Sequence, residues 1–169
     1  LTQQADESNN GWTPQRAHAP DSSYIPYLLT GERAHFDELN AQAAWSVTDT
    51  WPAQRGATDD IVAQYQEVRG GAWSLRTVQE AAWVNPDGSP EKAYFSQVAA
   101  DNWKWLVSMI PEWTAYQGEA YGHVPMELGE PQFAPWQQDY LATTAVQHNK
   151  GAVDLLAVQA LQAALLALQ

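Results

Sequence analysis

Three segments dense in aromatic and hydrogen-bonding residues punctuate the chain, and each stands at the head of a helical pattern followed by a second one. They are His18-Ala19-Pro20-Asp21-Ser22-Ser23-Tyr24-Ile25-Pro26-Tyr27, Arg69-Gly70-Gly71-Ala72-Trp73-Ser74-Leu75-Arg76 and Ala134-Pro135-Trp136-Gln137-Gln138-Asp139-Tyr140. A single helical-hairpin unit used three times keeps these residues at the same end of each unit. The expectation is an all-α fold of three consecutive antiparallel helical hairpins, with the motifs converging on one surface.

Local signals fill in the six helices. The first follows Ala19-Pro20-Asp21 and runs to about residue 29; Pro26 kinks or shortens it, and Gly31 is suited to cap its end. The second begins near residue 32, where Phe36, Leu39, Ala43 and Val47 recur at helical spacing, and stops before Trp51-Pro52. A third starts either at Ile61 or only after Gly70-Gly71, and over residues 72–83 is apolar nearly all round, as a helix surrounded by others must be. Asn85-Pro86-Asp87-Gly88 is a turn, after which Ser89 caps a fourth helix that opens on Pro90 and ends at Pro111. Residues 113–133 read as a long loop. Pro135 opens a fifth helix, and residues 152–168, almost wholly Ala, Leu, Val and Gln, form a sixth. Val, Ile and Thr are scattered, and no segment has the alternation of a strand.

Residues 1–10 are polar and turn-prone and read as a mobile arm, with residues 11–169 as one hairpin-repeat domain. At 169 residues and 45% apolar composition the chain can bury a real core. Twenty acidic residues against eight basic ones give a net charge of -12, which repels phosphate backbones and excludes nucleic acid as a natural partner. No apolar run reaches the roughly 20 residues of a membrane-spanning helix, so membrane insertion is not expected. Absence of cysteine fits a reducing cytoplasm or an export route, with a periplasmic or extracellular location slightly favoured. The start at Leu1 suggests a processed chain or a piece of a longer one.

Beyond the hairpin pattern, Gly11-Trp12-Thr13-Pro14, Ala17-His18-Ala19-Pro20, Tyr24-Ile25-Pro26-Tyr27-Leu28-Leu29-Thr30-Gly31, Ala72-Trp73-Ser74-Leu75-Arg76 and Trp136-Gln137-Gln138-Asp139-Tyr140 resemble uncharacterised bacterial proteins of six-hairpin-glycosidase type. The resemblance covers the chain from Gly11 to about Gln147. It implies an (α/α) toroid, in which inner helices form a ring and the loops at one end form a pocket or groove. It carries no catalytic assignment. Three hairpins make half of such a ring, an open edge that self-association through the sixth helix would cover.

The chemistry-bearing residues have two readings each. His18 and Asp21, three apart, suit an acid/base or sugar-binding pair, or else simply cap a helix. Tyr24 and Tyr27 lie on an inner helix, where a tyrosine serves either as a lyase proton carrier or as core. Arg69, at the loop end of its helix, suits two-point recognition of a carboxylate or sulfate. Arg76 either joins it or pairs with Glu80 four residues on. Trp73 and Trp136 offer indole faces for sugar stacking, and Gln137 follows within the same turn. Asp139 supplies a catalytic carboxylate or complements a helix N-terminus. A glycosidase needs two carboxylates, and Asp21 with Asp139 is the pair this reading nominates.

His18, His35, His123 and His148 lack metal-ligand spacing, and no glycine loop cradles a phosphate, so neither metal nor cofactor is expected. Two functions follow: an (α/α)-toroid module that binds, and in the stronger form cleaves, a polysaccharide by lyase or hydrolase chemistry, or a non-catalytic, self-assembling helical-repeat subunit.

Overall fold

The computed structural model describes residues 15–49, 60–64, 67–117, 123–125 and 134–147. The N-terminal arm and the sixth helix expected over residues 152–168 lie outside them. Among the described residues every regular element is helical and there is no strand. A 3₁₀ turn at Arg16–His18 precedes α1 (Tyr24–Thr30), α2 (Arg33–Thr48), α3 (Val68–Val84), α4 (Pro90–Gln117) and α5 (Pro135–Gln147).

The short α1 starts where Asp21 lets it. The Asp21 Oδ1 accepts the backbone N–H groups of Ser23 and Tyr24 at 3.1 and 2.9 Å, filling two donors that the first turn leaves open. Pro26 falls inside that first turn, where a missing N–H costs nothing. Gly31 ends the helix in the left-handed conformation, φ 68°, with its N–H on the Tyr27 carbonyl at 2.8 Å. From there α2 runs back against α1, Tyr27 meeting Phe36 at 5.5 Å between ring centroids. Leu39, Ala43 and Val47 are buried on one face of α2, as their spacing predicts.

Among the described residues the central element is α3, which packs against α2, α4, α5 and the 3₁₀ turn. It buries Ala72, Leu75, Val78 and Ala81 completely, in a core shared with Val47, Phe95, Val98, Trp103, Leu106, Leu141 and Ala145. The glycine pair does not break it: Gly70 and Gly71 lie within its first turn. Gly71 serves a close approach, since a Cβ on it would run into the Ala63 carbonyl.

Ala63 belongs to residues 60–64, a stretch held by side-chain amides where no ladder exists to hold it. The fully buried Asn102 of α4 accepts the Ala63 N–H at 2.8 Å and donates to the Asp60 carbonyl at 3.1 Å. Arg16, also buried, donates to the Val62 carbonyl at 3.3 Å and pairs with Asp49 at 3.1 Å. Gln138 does the same for Val124, exchanging two hydrogen bonds with its backbone at 3.0 and 3.1 Å. Each amide satisfies backbone groups that burial would otherwise strand.

Ser89 caps α4 through the Lys92 N–H at 3.1 Å. The helix does not stop at Pro111 but runs on to Gln117. Proline removes one interior hydrogen bond, and Trp113 offsets the loss by docking edge-on against Trp105 at 5.9 Å and onto the core. The long loop expected from residue 113 is therefore helical over its first five residues. None of the helices among the described residues is long and apolar enough to cross a membrane.

Candidate functional site

Along one side of α3 stand Arg69, Trp73, Arg76 and Glu80, spaced i, i+4, i+7 and i+11, a stripe about 16 Å long at helical rise. Contacts bind the stripe together. The Trp73 ring lies between two guanidinium groups, 5.9 Å from that of Arg69 and 5.7 Å from that of Arg76. Arg76 Nε then approaches Glu80 Oε1 at 3.8 Å, the ion pair that the sequence spacing allows.

Two neighbours flank the stripe. From α5, Trp136 takes the Arg69 guanidinium over its face at 5.2 Å. Tyr140, one turn further, meets Trp136 and Trp73 edge-on at 5.9 and 5.7 Å. Trp136 and Tyr140 stay 49% and 42% exposed, large apolar faces kept open to solvent. From the other side, His18 brings Nε2 to 3.5 Å from Arg69 Nη2 and shares its Nδ1 with Gln15 at 2.6 Å. Arg76 also reaches the Ala19 carbonyl at 3.4 Å, so the segment before α1 is tied to α3 at two points.

The leading turns of the three motifs thus meet. A backbone bond underlies the contact between α3 and α5. The Arg69 N–H, one of the donors that a helix start leaves open, is taken by the Gln137 side-chain oxygen at 3.0 Å. Gln137 is buried, and its side-chain oxygen braces the head of α3. Tyr27 likewise lies between α1 and α2 against Phe36. Asp139 sits at an exposed position of α5, with no hydrogen bond or ion pair to the cluster among the described residues.

Glu80 is the feature that sequence reasoning passed over except as an ion-pair partner. It is 3% exposed, on the helix that contributes most to the core. Burial, and then the neighbouring Asp21 charge, push its carboxyl from 4.5 up to about 8, against the smaller opposing pull of Arg76. Tyr24, the first residue of α1, has its hydroxyl pushed above the ordinary value by burial, then by Glu80 and Asp21. Asp21, Tyr24, Arg76 and Glu80 therefore form one electrostatically coupled group. An acidic residue one turn beyond an arginine, on a helix rich in apolar residues, is the signal that could have found it. Tyr140, four residues after Trp136, is the other omission, legible from its i+4 spacing.

The arginines are not fully satisfied. Arg69 Nε and Arg76 Nε are both buried with no hydrogen-bond partner among the described residues, a condition that in folded proteins marks strain, function or a missing partner. Arg69 is pinned instead by Glu67, 2.6 Å from its Nη2. Among the described residues no three acidic or histidine side chains are grouped to hold a metal ion. No family model, curated protein or solved structure matches this chain.

Proposed function

We propose that the chain is a carbohydrate-binding module of (α/α)-toroid type, in which α1–α2 and α3–α4 are successive hairpins with α5 packed beside them. One observation carries the reading: His18, Arg69 and Trp136, from three separate motifs, meet in a single contact cluster beside the open ring of Tyr140. Sugars bury their C–H faces on such rings while arginine and histidine hydrogen-bond the rim. The ligand is a polysaccharide or oligosaccharide, since a stripe about 16 Å long offers more than one ring's worth of contact.

Isothermal titration of the full chain against a glycan panel that includes uronate polymers tests it. Binding is expected, and Trp136→Ala should weaken it by roughly tenfold through the lost stacking, with the fold intact because this ring is half exposed. A complete lack of binding across the panel refutes the reading.

A second reading, a self-assembling subunit without catalysis, draws on α1. Ile25, Leu28 and Leu29 are 54%, 52% and 81% exposed on a helix that buries no side chain fully. Further copies of the chain would cover that face. Light scattering at high concentration decides it, and a strictly monomeric particle speaks against assembly.

A further inference from the structure

We propose that the Trp136 end of this site takes an uncharged sugar, and that Glu67 is the residue that turns anionic ones away; the proposal rests on the carbohydrate reading above. Arg69 has the fork to hold a sugar carboxylate, yet it already holds one from its own chain. Its Nη2 donates to Glu67 Oε2 at 2.6 Å, and the two side chains are only 18% and 23% exposed. Glu67 immediately precedes α3 and does not cap it through its side chain. Its carboxylate serves the arginine instead. Because that guanidinium also lies over Trp136 at 5.2 Å, the Glu67 charge stands at the border of the stacking face.

The other groups around Arg69 leave that balance unchanged. The Gln15 side-chain oxygen can only accept, so at 2.6 Å it fixes the His18 proton on Nδ1. The ring is then neutral, and Nε2 turns its lone pair to Arg69 Nη2 at 3.5 Å. Arg76 lies beyond the Trp73 ring, its Nη2 on the Ala19 carbonyl at 3.4 Å. A glycan carboxylate therefore reaches the Arg69 charge only by displacing Glu67. That exchange trades one ion pair for another and strands Glu67 in a mostly buried place, so it gains nothing. A hydroxyl asks for less. It accepts a single N–H with the ion pair kept, while the sugar lays its C–H face on Trp136 and Tyr140. The net charge of -12 acts in the same direction, repelling a polyanion before it arrives.

The test is isothermal titration of the full chain with matched pairs of ligands. Gluco-, manno- and galacto-oligosaccharides are each compared with their C6-oxidised forms, which keep the linkage and place a carboxylate on every ring. The neutral member of a pair is expected to bind more tightly by about tenfold. Glu67→Gln keeps the length of the side chain and an oxygen for Arg69 but removes the charge. It should strengthen binding of the oxidised member by about tenfold and leave the neutral one within about twofold. The ratio of the two affinities is a readout that a merely structural role for Glu67 would not move. The wild-type comparison stands by itself should the variant not fold. A wild-type preference for the oxidised member, or an unchanged ratio in the folded variant, overturns the proposal and leaves the carbohydrate reading standing. Failure of every sugar, neutral and oxidised, to bind removes both.

Discussion

A carboxyl group that prefers its proton leaves a mark on stability as well as on chemistry. Glu80 holds its proton up to about pH 8 in the folded chain and releases it near 4.5 when unfolded. Between those values the folded state binds the extra proton, so stability falls as pH rises. The contribution is complete below about 4.5 and gone above about 8. Thermal melts from acid to mildly alkaline pH should show the wild-type midpoint dropping across this window. Glu80→Gln should drop less and overtake the wild type at the alkaline end; parallel curves for the two proteins would contradict the burial assigned to this side chain.

At the scale of an element, α3 sets two ordinary rules against each other. Replacing a helical glycine with alanine gains about 1 kcal/mol from propensity alone. At Gly71 the added methyl meets the backbone of Ala63, which Asn102 holds fast, so the same change should cost about 1–3 kcal/mol instead. Denaturant midpoints of Gly71→Ala decide the sign.

This position also shows where sequence stops being readable. Gly31 and Ser89 act through neighbours three or four residues away, and their caps were legible on that account. Gly70-Gly71 left the start of α3 open between residue 61 and the residues after the pair, because the reason for Gly71 lies in a segment eight residues upstream that folds against it. Pro111 read as a stop because the docking of Trp113 on Trp105 is a matter of packing that no propensity contains. The site divides the same way. His18, Arg69, Trp73 and Trp136 announced themselves by type and motif, whereas the weight of Glu80 comes from burial, which the fold supplies.

Across the described residues, α3 is shared by nearly every interface between helices. Leu75, wholly buried on α3, lies in the common core with residues of α2, α4 and α5. Leu75→Ala should cost about 2–5 kcal/mol. Because the loss falls on the shared element, amide-exchange protection should decline in α2, α4 and α5 together. A loss confined to one neighbour would mean that the helices are held as separate pairs. Net charge enters at this scale too: at -12 the surface repels polyanions at a distance, so any anionic sugar must be won by short-range contacts at Arg69 and Arg76.

The guanidinium lying over the Trp136 indole gives the chain a built-in optical reporter. Its ring is half exposed, and a sugar seated on the part that Arg69 leaves open would strip water from it and shift the emission to the blue. Subtracting the spectrum of Trp136→Phe isolates that one emitter from the other eight tryptophans, so occupancy of this face can be followed without a label.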